Sequence, residues 1–206
     1  MEYLVTMTTH VPDGTPEGDI QDIRTREAAR SRELAAQGHL LRLWRPPLAP
    51  GEWRSLGLFA ADDDGQLEEV LASMPLRVWR TDESTPLAPH PHDPVGGPAP
   101  AGQSAQLPGS TEFLTTFVIT VPAGTPAEEV SVTEAREADR ARELAEQGNL
   151  ERLWRLAGEG YSLGLWRAAD ADDMQEILES LPLYDWMSVP TTPLTPHPSD
   201  PLLTGA

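Results

Sequence analysis

Two tandem α+β domains are predicted by three observations. The first is an internal repeat. Residues 32–45 read RELAAQGHLLRLWR and residues 142–155 read RELAEQGNLERLWR, so Trp44 and Trp154 stand 110 positions apart. The offset becomes 107 at Ser55-Leu56-Gly57-Leu58 and Ser162-Leu163-Gly164-Leu165, and it holds to Thr85-Pro86-Leu87 and Thr192-Pro193-Leu194. A period of this length is a whole small domain, not a solenoid repeat. The second observation is the order of elements, which reads strand, helix, strand, strand, helix, strand in each copy. The third is the segment 93–110, rich in Pro, Gly, Ala and Ser, a linker composition. The expected organisation is a first domain at 1–92, a linker at 93–110 and a second domain at 111–206. As a coil the linker would span roughly 20–25 Å, enough to let the copies pack side by side.

Each element has a local reason. Residues 3–11 are β-rich and stop at the turn cluster Pro12-Asp13-Gly14-Thr15-Pro16. A helix follows over 17–37, closed by Gly38 at the position that favours a left-handed residue. Residues 39–45 read as a second strand, 46–51 as a Pro-rich loop and 53–60 as a third strand. Asp62-Asp63-Asp64 offers a cap and negative charge to the N-terminus of a short helix ending near Ser73. Residues 76–83 read as the fourth strand. Copy 2 repeats this with a shorter loop at 156–160, which accounts for the change in offset. The order matches a ferredoxin-like (βαββαβ) sandwich, with an antiparallel sheet and helices on one face. Trp44, Trp53, Phe59 and Trp79, with Trp154, Trp166 and Trp186 in copy 2, are assigned to the opposite face. Sheet-to-sheet packing there would make an intrachain pseudo-dimeric α+β barrel.

Composition narrows the chemistry. The net charge is −18. Residues 1–93 carry nine Arg against 16 acids (−7), and the remainder six Arg against 17 (−11). Both halves repel phosphate backbones and anionic membranes, so neither nucleic acid nor membrane is an expected partner. No apolar run is long enough to span a bilayer, and the N-terminus lacks a basic-then-apolar leader, so a cytoplasmic protein is expected. There is no Cys, which removes thiolate nucleophiles and Cys-ligated metals. All 15 basic residues are Arg, which removes Schiff-base catalysis by lysine. Carboxylates, five His and three Tyr remain as acid–base candidates.

One residue type stands out on the long helix. On a helical wheel Glu27 falls in the middle of the mostly apolar stripe of Ile20, Ile23, Ser31 and Leu34. Glu137 does the same among Val130, Thr133, Ala141 and Leu144. A carboxylate on a buried face is costly unless paired or used. Burial would raise its pKa toward that of a general base at neutral pH. The alternative is a structural ion pair with Arg42 or Arg45, or with Arg152 or Arg155 in copy 2. Arg24, one turn before Glu27, is Glu134 in copy 2, so an anion-binding Arg there would exist in copy 1 alone.

The Arg-Leu-Trp-Arg strands alternate. Arg42 shares a face with Trp44, and Arg152 with Trp154; Leu43 shares the other with Arg45. Arg42 and Arg152 are candidates for holding a substrate carboxylate, with Trp44 and Trp154 beside them; sheet-face salt bridges are the alternative. His90 and His197 lie in repeated Pro-Leu-x-Pro-His-Pro tails. His90-Pro91-His92-Asp93 has the look of a metal site, but copy 2 has Ser199 for the second His, so no metal is expected. A plain tail is the simplest reading, and a tail His reaching a neighbouring active site is the other. Tyr161 stands where copy 1 has Arg54. His10 and His39 have no counterparts.

Taken together, Arg-Glu-Ala (26–28 and 136–138), Arg-Glu-Leu-Ala-x-Gln-Gly, Leu-Trp-Arg, Pro-Leu (75–76 and 182–183) and the His-Pro tail resemble the muconolactone δ-isomerase family. The likeness covers nearly all of both copies. Copy 2 is nearer late in the chain, at Gly160-Tyr161-Ser162 and residues 181–187. Copy 1 keeps a basic residue, Arg24, before the helix Glu. The resemblance implies a cofactor-independent isomerase of small molecules that shifts a double bond in an unsaturated lactone, in homo-oligomers built from dimers. That chemistry fits Glu27 and Glu137 as bases, with Arg24, Arg42, Trp44, Arg152, Trp154, Tyr161, His90 and His197 as candidate substrate-binding residues. Two other readings stay open: an isomerase or cyclase acting on a polyketide-like intermediate, and a non-catalytic small-molecule-binding protein.

Overall fold

The computed structural model describes residues 1–96, 109–158 and 160–204. Most of the expected linker, 97–108, lies outside them. The chain forms two compact units: residues 1–87 with 195–204, and residues 88–96 with 109–194. Each unit therefore contains the body of one copy and the tail of the other.

In the first unit β1 (Glu2–Thr9), α1 (Glu17–Ala36), β2 (Leu40–Arg45), β3 (Arg54–Ala60), α2 (Asp64–Ala72) and β4 (Arg80–Pro89) follow in order. The strands pair antiparallel as β4-β1-β3-β2. In the second, β5 (Thr111–Ile119), α3 (Ala127–Glu146), β6 (Leu150–Arg155), β7 (Tyr161–Ala168), α4 (Ala171–Glu179), β8 (Met187–Ser188) and β9 (Thr191–Pro196) repeat the pattern. There β5 pairs with β7, β8 and β9, and β6 with β7. This is the α+β ferredoxin-like arrangement. The tails complete the sheets. Thr195 and Pro196 pair with Arg45 and Trp44, and Ala88 and Pro89 pair with Arg155 and Trp154. The short α5 (Pro201–Thr204) lies against β2 and α1.

The helix ends follow from sequence. Gly38 has φ +78°, and the N–H groups of Gly38 and His39 donate to Ala35 O (2.9 Å) and Leu34 O (2.8 Å). That is a Schellman closure, repeated by Gly148 and Asn149 on Ala145 and Leu144. Asp63 accepts from the Gln66 N–H at 2.9 Å and caps α2. The expected strand at 76–83 starts later. Pro75–Trp79 is a 3-10 turn, because Pro75 presets the first residue and the Arg77 N–H donates to Met74 O at 3.0 Å. In copy 2 the strand is broken in two before Thr191, at Pro190, which has no N–H for a ladder.

A bulge sets the faces of β2. Leu40 pairs with Phe59 and Arg42 with Leu58, so Leu41 is the extra residue. Leu40 and Leu43 consequently both enter the core, with Tyr3, Val5, Met7, Leu34, Phe59, Leu67 and Leu71. Phe59 therefore packs on the helix side, not on the opposite face. Trp166 does likewise in the second unit, against Phe113, Phe117, Ala141 and Leu144.

The repeated Ser-Leu-Gly-Leu has a packing reason. A Cβ on Gly57 would overlap the Phe59 ring and meet Met7 Cε at 3.0 Å; on Gly164 it would overlap Trp166 and meet Phe117 and Thr115 at 2.9 Å. Gly57→Ala and Gly164→Ala are each expected to destabilise by about 1–3 kcal/mol through overpacking, read as a lower urea midpoint.

Candidate active site

Glu27 points from α1 into a cavity of about 320 Å³ in the first unit, a small-molecule size. One carboxylate oxygen accepts the Leu76 N–H at 2.8 Å; the other accepts from Arg80 at 3.0 Å. The 3-10 turn thus presents a backbone donor to the helix. Arg80 also binds Asp82 at 2.6 Å, so its charge is shared between two carboxylates. Burial pushes the Glu27 carboxyl above its ordinary value, opposed by the Leu76 bond and by Arg80.

Glu137 occupies the same place in a second cavity of about 320 Å³. It accepts the Leu183 N–H at 2.9 Å. The position matching Arg80 is Met187. Burial raises the Glu137 carboxyl too, opposed by the Leu183 bond.

The tails supply the third element. His197, Pro198 and Ser199 line the first cavity, and His90, Pro91 and His92 the second. Each tail is pinned by an aspartate. Asp200 accepts from Arg42 Nη2 (3.1 Å), Arg42 Nε (3.2 Å) and the Leu43 N–H (3.1 Å), and its side chain is 0% exposed. Asp93 does the same with Arg152 Nη2 (3.2 Å), Arg152 Nε (3.1 Å) and the Leu153 N–H (2.9 Å). The pin fixes the histidine three residues earlier. The Ser199 N–H donates to His197 Nδ1 at 3.1 Å, and the His92 N–H to His90 Nδ1 at 3.2 Å. A neutral ring accepting at Nδ1 carries its proton on Nε2. Burial, helped by Arg45 and by His92 with Arg155 respectively, pushes His197 and His90 down to about 4. Both rings are therefore neutral at pH 7; Arg45 Nη2 stands 3.5 Å from His197 Nε2, a longer approach than the 3.1 Å Ser199 bond that sets the tautomer.

The expected substrate-binding residues divide. Arg24 lines the first cavity and stacks 4.4 Å over Trp53, which lines it too. Arg42 and Arg152 do not line the cavities; their alternation turns them to the other face, where they bind Asp200 and Asp93. Trp44 and Trp154 are buried on that face under the same guanidinium groups, at 4.8 and 4.6 Å. Tyr161 is 43% exposed and is not among the residues lining the second cavity. Of the two Arg-Leu-Trp-Arg strands, Arg45 and Arg155 are the arginines that line the cavities. Asp93, read as the first linker residue, is a buried anchor. Asp93 and Asp200 stand 107 apart, beside a shared Arg at 42 and 152; that double repeat was the available signal. Arg80 occurs in one copy alone, so no repeat marks it in the sequence. Among the described residues no cluster of three or more His, Cys, Asp or Glu is placed to hold a metal, and none of their helices is long and apolar enough to cross a membrane.

A family profile described as muconolactone delta-isomerase matches residues 1–93 and again 111–200. The chain belongs to the muconolactone delta-isomerase family. It is similar to the muconolactone delta-isomerase of Cupriavidus pinatubonensis, 30% identical over 87 residues, covering 42% of this chain and 95% of that protein. It is also similar to the Rhodococcus opacus enzyme, 35% identical over 68 residues, covering 33% and 73%. Among solved structures, a heme-binding protein from Thermus thermophilus superposes with TM-score 0.60 over 97% of this chain and 93% of that one, at 13% identity. At that identity the likeness is one of fold alone. The curated relatives support an isomerase function.

The raised carboxyl makes a stability prediction. Ionised Glu137 is disfavoured by folding, so its burden on the fold is absent below about pH 4.5, the ordinary value, and complete above the raised folded pKa. Glu137→Gln is expected to melt higher than the parent at pH 7, with the gap closing as pH falls toward about 4.5. Thermal melts across this range check it; an unchanged or lower melting point at pH 7 counts against the assignment.

Proposed function

We propose that the chain is a cofactor-independent intramolecular isomerase that moves a proton and a double bond in an unsaturated lactone. The observation that carries this is a helix carboxylate with a raised pKa sharing one cavity with a neutral histidine whose Nδ1 accepts a backbone N–H. Glu27 takes a proton from a carbon conjugated to the lactone carbonyl, and the released electron pair moves onto the carbonyl oxygen as a dienolate. A carboxylate accepts at about four positions, so the bonds from Leu76 and Arg80 leave room for that proton. His197 Nε2–H donates to the developing oxyanion, where a preorganised donor contributes most. Glu27 then returns the proton to the far carbon, with no net change in electrons or protons. Arg24 and Arg45 suit a carboxylate on the substrate. In this reading the copies 1–92 and 111–206 are the duplicated units. The pseudo-dimeric barrel is part of the same proposal, supported by each unit's use of the other copy's tail.

The test is muconolactone in D2O. Isomerised product is expected, with solvent deuterium at the new C–H in the fraction of turnovers in which the Glu27 carboxyl exchanges before returning its proton; neither product nor exchange would sink the reading. The pH profile gives a second check. The base works ionised, so kcat/KM should fall on an acid limb lying above the ordinary carboxylate range. His197→Gln should lower the rate without moving that limb, since the ring titrates near 4.

A further inference from the structure

The two cavities are equal in size but opposite in lining charge. The first is lined by Arg24, Arg45 and Arg80 against the single acid Glu27. The second is lined by Arg155 alone against Glu134 and Glu137. Three replacements produce this. Arg24 becomes Glu134, Arg80 becomes Met187, and Trp53, the platform under Arg24, becomes Gly160. The walls change in the same direction. Met7 and Thr9 become Phe117 and Ile119, and Ser31 becomes Ala141. Trp166 replaces Phe59 and also lines the cavity, its Nε1–H committed to Thr115 Oγ1 at 2.8 Å, so it presents an apolar edge. The remaining cation is partly engaged, since Arg155 Nε donates to Pro89 O at 3.1 Å.

We propose that the second unit's cavity is a separate ligand site for an uncharged, largely apolar carbonyl compound, while the first takes a carboxylate. A carboxylate entering the second cavity would meet two acids and one cation in a partly desolvated space, where like charges repel strongly. An uncharged carbonyl compound avoids that repulsion and covers the apolar wall. His90, pinned as His197 is, offers its Nε2–H to the carbonyl oxygen. Binding at this site is independent of the isomerase reading; only turnover by Glu137 rests on it.

The five methionines make the test direct. Met7 and Met74 line the first cavity and Met187 the second, with Met1 and Met174 in neither. The full chain is labelled with 13C-methyl methionine and titrated with muconolactone, then with an uncharged propyl-substituted butenolide of the same ring. Isomerisation keeps the carboxylate, so turnover leaves the charge comparison intact. The propyl butenolide is expected to shift the Met187 methyl at concentrations at least about tenfold below those that shift Met7 or Met74, and muconolactone to do the reverse. A paired variant, Glu134→Arg with Met187→Arg, restores the copy 1 charges and should raise muconolactone binding from one to two per chain by calorimetry. The proposal is overturned if muconolactone moves Met187 as early as Met7, if the uncharged lactone leaves Met187 unmoved, or if the paired variant gains no second carboxylate site. Ordered binding with neither product nor deuterium exchange would instead sink the isomerase reading and leave this one standing.

Discussion

The double variant Glu27→Gln, Glu137→Gln is expected to lose isomerisation by about 10²- to 10⁴-fold, the usual contribution of a positioned base, while staying folded. Gln keeps the shape and can still accept the Leu76 and Leu183 N–H bonds, which orient these side chains at 2.8 and 2.9 Å. What it lacks is the basic oxygen. The single variants separate the units. If muconolactone uses the Arg-lined cavity, Glu27→Gln alone should carry nearly the whole loss with this substrate, and Glu137→Gln should leave the rate near that of the parent. Steady-state kinetics on the three proteins, with circular dichroism to confirm folding, checks this. Full activity in the double variant would remove both glutamates from the mechanism.

Asp200→Ala and Asp93→Ala are expected to be the most destabilising single changes described here. Each removes the buried carboxylate that Arg42 or Arg152 and one backbone N–H donate to. Breaking one side of such a pair typically costs about 3–5 kcal/mol, a fall in Tm on the order of 10 °C for a chain of this length. The intact pair is not thereby proved stabilising, because two charges were desolvated to make it. Arg42→Met combined with Asp200→Leu should recover part of the loss, the Leu43 N–H remaining without its acceptor. Activity should respond differently from stability. The recovered double variant no longer pins His197, so its kcat in the first unit should stay low. Recovery of both would mean the aspartate serves stability alone.

Much of the fold was legible because its causes are local. The repeat, the glycine at each helix end, the aspartate caps and the apolar stripe under Glu27 and Glu137 are written in neighbouring residues. The parts missed depend on distance or on one face of a strand. The alternation of Arg42 with Trp44 and of Leu43 with Arg45 is legible in the strand period, but by sequence either face can meet substrate. The choice falls to Asp200, 158 positions from Arg42. Arg80 meets Glu27 across 53 positions, through a turn that the β-rich character of 76–83 disguised as strand. Phe59 and Trp166 were assigned by residue type to the outer sheet face; the strand register and the missing Cβ at Gly57 and Gly164 put them inside.

The exchanged tails set the stretch of chain that is inherited out of phase with the stretch that works as one site. The histidine over Glu27 is encoded in copy 2, and the histidine over Glu137 in copy 1. A crossover that deleted either copy would leave a body furnished with its own tail, not the one beside which its cavity diverged. A substitution near the end of one repeat is felt in the other repeat's pocket, so the two halves cannot drift apart as independent genes would. Each pocket is thus assembled from two distant segments of one reading frame.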